Sequence, residues 1–198
     1  MRWDHLFDDL ESQLERELTA EDLDVEAEEE RLRLGRLSVR DRLVALSGSN
    51  PEPLTVTLVT GERLELVPET FGRDWFSARV VQGAVPRRQC IVPVSAIAWW
   101  SLSPRQVRAS LSDAARDARA EASLSMRLGL PFVLRDLCRR RRAVDLLLAP
   151  AGTLHGTIDR VGRDHLDLAV HEPGSPRRAS QVSEVLVVPL ASVALLAH

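Results

Sequence analysis

The feature that most constrains this chain is an ordered internal match. GRDWFSAR at positions 72–79 is echoed by GRDHLDLA at 162–169. Leu58, Leu64, Gly72, Arg73, Asp74, Pro86, Arg87 and Arg88 correspond, at an offset of 90, to Leu148, Leu154, Gly162, Arg163, Asp164, Pro176, Arg177 and Arg178. After an insertion the offset becomes 96, and Val92, Pro93 and Ala98 correspond to Val188, Pro189 and Ala194. A match kept in order through one loop insertion marks a duplicated unit, spanning 53–102 and 143–198. Whatever fold the first copy takes, the second should take too.

Within each copy the texture is β. TVTLVT, ERLELV, DWFSARVV, QCIVPV and AIAWWSL are short alternating or β-branched runs, separated by Gly61, by the GRD triplet, by the loop QGAVPRR and by a VPVSA corner. Five short strands in about fifty residues predict a small, strongly bent barrel rather than a sandwich. Alternation places Phe76, Ala78 and Val80, with their counterparts Leu166, Leu168 and Val170, inside. Trp75, Ser77 and Arg79, and likewise His165, Asp167 and Ala169, are then expected outside. The GRD triplet reads as a turn, Gly supplying an unusual backbone angle and Asp bonding nearby amides.

The order of hairpin, G-x-D turn, long alternating strand, variable loop and VP corner resembles the Sm-like small barrels, a group that includes the bacterial RNA chaperone Hfq and the eukaryotic Sm proteins. It is similar in outline to other SH3-like barrels. The resemblance covers both β units and implies two similar five-stranded barrels. The RNA-binding residues of that group do not carry over: the matching corners are IVPVSAI and VVPLASV, without a Lys-His pair or an Arg-Gly. As a whole, an acidic arm followed by a tandem β pair also resembles an actinobacterial protein type.

Outside the repeats the chain is helical in character. Residues 1–46 carry 14 acids against 7 bases and contain no proline. Trp3, Leu6, Phe7, Leu10, Leu14 and Leu18 form one apolar stripe, and Leu18, Val25, Leu32, Val39 and Leu46 recur every seven residues. Such an arm either folds back on the β units or docks a partner. Gly35 and an N-cap at Ser38 predict a break before a last short helix. Residues 103–142 are expected to form a helical connector, opening at Ser103-Pro104 and again at Pro131 and ending in Arg139, Arg140, Arg141 and Arg142. Ten bases there face 4 acids. With Arg87, Arg88, Arg177 and Arg178 in the loops, these arginines are the candidate contacts for nucleic acid or an acidic partner. They also complement the helix dipole. Trp3, Phe7, Trp75, Trp99 and Trp100 are the candidate protein contacts, the last two packing between the barrels or against the arm.

Several classes are set aside. No GxSxG elbow, P-loop, dinucleotide glycine pattern or His/Cys metal spacing occurs, so no enzyme, cofactor or metal is expected. His155, His165 and His171 with Asp159 or Asp167 are not expected to converge on a metal. The net charge of −3 gives no overall attraction to polyanions. No apolar stretch has membrane-spanning length. Cys90 and Cys138 read as free thiols of a cytoplasmic protein. The sequence therefore predicts an α+β chain, with an acidic helical arm, two small barrels and a basic connector. It points to a non-enzymatic binding or scaffold protein, with a nucleic-acid-binding regulator as the alternative.

Overall fold

A computed structural model describes residues 25–47, 51–82, 89–112, 124–174 and 178–198. The chain divides into two units, Met1–Ser38 and Val39–His198. In the first, residues 25–35 form helix α1, trimmed by i,i+3 ion pairs from Arg31 to Glu28 and from Arg33 to Glu30. The Arg33 hydrogen bond holds the Glu30 carboxyl below its usual range. The helix ends at Gly35, as the sequence predicts.

The second unit comprises α2 (Val39–Ala45), β1 (Leu54–Leu58), β2 (Arg63–Phe71), β3 (Trp75–Gln82), β4 (Gln89–Pro93), β5 (Ile97–Ser101), α3 (Pro104–Leu111), α4 (Leu130–Arg139), β6 (Ala143–Leu148), β7 (Gly152–Val161), β8 (His165–Val170), β9 (Glu184–Pro189) and β10 (Val193–Ala197). The strands follow the alternating runs of the sequence. Short 3-10 turns, Val94–Ala96 and Leu190–Ser192, form the two VP corners.

The expectation of two closed barrels is overturned. All ten strands form one antiparallel open sheet in the order β5-β1-β2-β3-β4-β10-β6-β7-β8-β9. Each repeat keeps the same internal order, and one irregularity of the second and third strands repeats with it. The ladder of β2 on β3 shifts between Pro68 and Thr70, and that of β7 on β8 between the corresponding Ile158 and Arg160. What fails is closure. A barrel would need β4 to reach β5; instead β4 pairs with β10, with Ile91 opposite Leu196 and Cys90 opposite Ala197. Alternation fixes which face of a strand is apolar, but it says nothing about which strand satisfies the edge amides.

The joint between the repeats also decides the core. One hydrophobic cluster, core A, combines Leu43, Val44 and Leu46 around α2 with the inward residues of β1–β4, and it takes in Leu147, Ala194, Leu195 and Ala197 from the second repeat. Core B combines Leu130, Leu134 and Leu137 of α4 with residues of β6–β10, and it takes in Trp75 and Ile91 from the first. Along β4, Cys90 and Val92 enter core A while Ile91 enters core B. Along β10, Leu195 and Ala197 enter core A while Leu196 enters core B. Both faces of the joint are thus buried, each repeat lending side chains to the other's core.

The helix ahead of each strand set belongs with it. Arg40 Nε of α2 donates to the carbonyl of Gly72 at 2.7 Å, and Arg135 Nη2 of α4 donates to that of Gly162 at 3.2 Å. The duplicated structural unit is therefore a helix plus five strands. α3 lies outside this scheme and starts with a full capping box between Ser103 and Gln106. It meets α2 through Arg42 Nη2, 3.0 Å from Ser110 Oγ. Phe76, Ala78, Val80, Leu166 and Leu168 are buried as alternation predicts and Val170 is half-buried, whereas Ala169, expected outside, is fully buried.

Candidate functional site

Three features concentrate polar or exposed apolar chemistry: the free edges of the sheet, the arginine run after α4, and a polar row on β6–β8. The edges come first because they are the least explained by folding alone. Among the described residues β5 pairs only with β1, and β9 only with β8. Each therefore presents an unpaired row of backbone donors and acceptors. Trp99 stands 61% exposed on β5, and Val185 and Val187 stand 56% and 68% exposed on β9. Proteins ordinarily guard such edges with charge, proline or a covering element. Here β9 has an acid and a proline at its two ends, Glu184 and Pro189, but three large apolar side chains mark the edges.

The structure separates the candidate tryptophans. Trp100 packs against core A, with its Nε1 buried and unpartnered among the described residues, whereas its neighbour Trp99 points away. Trp75 was expected outside. It does leave core A, but only to be taken up by core B, where it is 5% exposed and its Nε1 donates to the carbonyl of Leu128 at 2.9 Å. Trp3 and Phe7 lie outside the described residues.

The GRD turns close by a different route from the one expected. Gly72 N donates to the Trp75 carbonyl and Gly162 N to that of His165, both at 2.8 Å. Neither glycine has positive φ. Glycine is needed because a Cβ would lie 2.1 Å from the Trp75 ring in one turn and 2.5 Å from the His165 ring in the other. Asp74 bonds an amide, but one distant in sequence: its Oδ1 accepts from Leu130 N at 2.8 Å and tethers the start of α4. The turn of the first repeat is thus the seat for the helix of the second.

The four consecutive arginines have a structural use. Arg142 N donates to the Leu137 carbonyl and Arg141 N to that of Cys138, the paired bonds of a Schellman helix end. Arg141 occupies the left-handed position, φ 50°, usually filled by glycine. Arg139 and Arg140 each pair with Asp136 at 2.6 Å, and the hydrogen bond from Arg139 is the chief reason the Asp136 carboxyl sits below its usual range. All four side chains are exposed. Arg178 is exposed as well, while Arg87, Arg88 and Arg177 lie outside the described residues.

The polar row was missed from sequence. His155 Nδ1 lies 2.5 Å from Asp145 Oδ1, and the rings of His155 and His171 meet edge to face at 5.2 Å. Thr157 Oγ1 lies 2.9 Å from His171 Nε2. Antiparallel register explains the meeting: Asp145 is opposite His155, and the β7–β8 ladder carries His155 towards His171. The three other candidates are elsewhere, His165 beside Asp164, Asp167 beside Arg160, and Asp159 where its carbonyl accepts from Cys138 Sγ. No group of three or more possible ligands capable of holding a metal is found among the described residues. Both cysteines are free, and burial pushes the Cys90 thiol up to about 12.

No family model, curated protein or solved structure matches this chain. No helix among the described residues is long and apolar enough to cross a membrane.

Proposed function

We propose that this chain is a non-enzymatic binding or scaffold protein that works by strand addition at its open sheet edges, with the helical arm as a further contact surface. The observation that carries the reading is the coincidence, at both ends of one sheet, of unpaired backbone with exposed apolar side chains. An added strand would gain ladder hydrogen bonds from the first and specificity from the second. On the arm, Val25 and Leu32 are exposed apolar residues seven apart, a spacing suited to a helical partner. In this proposal the Sm-like likeness concerns element order alone, since neither repeat closes. Two free thiols suit a reducing compartment, and the proposal places the chain in the cytoplasm.

The test is affinity capture from the native cell with the wild-type chain and with Trp99→Arg and Val187→Arg variants. Partners lost on edge substitution support the reading. An identical captured set from all three chains overturns it. Nucleic acid is the second reading, favoured by four consecutive exposed arginines but weakened by the pairing of two of them with Asp136. Anisotropy with generic RNA and DNA at two salt concentrations decides it. Salt-sensitive binding that disappears when Arg139 to Arg142 are replaced would put the regulator ahead of the scaffold.

A further inference from the structure

We infer that the exposed turn at residues 162–165 is a docking seat for another protein, and that the part of the partner it takes is the start of an α-helix. The basis is that the chain carries the same seat twice and fills it once. In the first repeat the turn at residues 72–75 holds the start of α4 at two points. The Leu128 carbonyl accepts from Arg73 N and from Trp75 Nε1, both at 2.9 Å, and two residues further on Leu130 N donates to Asp74 Oδ1 at 2.8 Å. That amide is one of the donors a helix start leaves without an intrahelical partner.

The second turn is built to the same pattern. Gly162 N donates to the His165 carbonyl as Gly72 N does to that of Trp75, both at 2.8 Å. Leu190 N donates to the Asp164 carbonyl at 2.8 Å as Val94 N does to that of Asp74 at 2.9 Å. Arg135 reaches the Gly162 carbonyl as Arg40 reaches that of Gly72. With the backbone held at three equivalent points, Arg163 N, the Asp164 carboxylate and the His165 ring stand in the places of Arg73 N, the Asp74 carboxylate and the Trp75 ring. No helix start is seated on them. Among the described residues Arg163 N has no hydrogen-bond partner, and the Asp164 side chain is 84% exposed and bonded to the half-exposed His165 ring beside it.

The occupant is a different protein and not a second copy of this chain. Leu-Gly occurs at one other place in the sequence, ahead of α2, where Leu34, Gly35, Val39, Arg40 and Asp41 correspond to Leu128, Gly129, Val133, Arg135 and Asp136 with one residue fewer. There the two groups the seat needs are already used. The Leu34 carbonyl accepts from Leu37 N at 3.1 Å and Arg36 N donates to the Arg33 carbonyl at 3.2 Å, closing the end of α1. A fitting partner has a coil-to-helix junction of the Leu-Gly-Leu-Pro kind whose carbonyl and first helical amide are both free. Neither sheet edge takes part, so the contact stands or falls independently of strand addition.

The test is a titration of the isotope-labelled full chain with a synthetic peptide of residues 125–137, followed through backbone amide shifts. The first turn is filled within the chain, so shifts should gather at Arg163, Asp164 and His165 and saturate at one peptide per chain. Asp164→Ala should bind about tenfold more weakly, the usual effect of losing one hydrogen bond to a charged acceptor. Asp164→Asn, which keeps an acceptor oxygen, should lose less. A peptide carrying Leu130→Pro lacks the amide, so it should lose as much on the wild-type chain and nothing further on Asp164→Ala. Absent shifts, shifts centred elsewhere, or shifts undiminished by Asp164→Ala and Leu130→Pro overturn the inference. Shifts at these residues that grow with chain concentration in the absence of peptide would give the seat to a second copy and overturn the assignment to a different protein.

Discussion

Gly72→Ala and Gly162→Ala make the same change in two equivalent turns, and the structure predicts very different losses. In the first turn the new Cβ would lie 2.1 Å from Trp75 Nε1, against the 3.4 Å at which ordinary contact begins. The indole cannot swing aside, since it is buried in core B and held by its bond to the Leu128 carbonyl. Overpacking of this kind costs about 1–3 kcal/mol. Displacing the ring also strands a buried N–H, a further loss of about 1–3 kcal/mol. Restricting the unfolded chain returns only about 0.4–1 kcal/mol. The net loss should be about 3 kcal/mol. In the second turn the obstructing group is the His165 ring, 2.5 Å away but half exposed and able to rotate into solvent. Its contact with Asp164 lies in solvent and is screened, so Gly162→Ala should fall within about 1 kcal/mol of wild type. Urea denaturation of the two variants measures the difference as separate midpoints at a common slope. In a Trp75→His background the Gly72→Ala loss should shrink to that of Gly162→Ala. Equal losses in the two turns, or an undiminished loss in that background, would refute the assignment of the glycines to ring clearance.

Three further outcomes are expected. Arg141→Gly should raise stability by about 1 kcal/mol in the same denaturation assay, because glycine takes the left-handed helix end without a Cβ penalty. In native protein a thiol reagent should modify Cys138 first and Cys90 only on unfolding, and the raised Cys90 value gives stability that is present below the ordinary thiol range and lost as pH climbs towards about 12. Burial, and secondarily Arg142, lowers the pKa of His198, so its contribution is present above the ordinary histidine value and is lost as pH falls through the lowered one; His198→Gln should flatten the pH dependence of the melting midpoint over that acidic range.

The sequence alone determined the duplication, the five strands of each copy, their inward faces, the break at Gly35 and the helix start at Ser103. These are local properties, set by periodicity, turn residues and caps, and each can be read within a few neighbouring positions. It also showed that one of Trp99 and Trp100 points away from its own repeat's core, and the structure decided that this is Trp99. Tertiary structure alone decided where the edges go. Nothing in the alternation of QCIVP shows that β4 meets β10 and not β5, because either strand would satisfy the same amides. For the same reason the sequence could place Trp75 outside one core but could not foresee that a second core waits there. The meeting of Asp145, His155 and His171 likewise needs antiparallel register, which brings together positions 10 and 16 residues apart in sequence. Local chemistry chose the strands, while the competition among distant edges for hydrogen-bond partners chose one open sheet whose two end strands have a single strand partner each among the described residues.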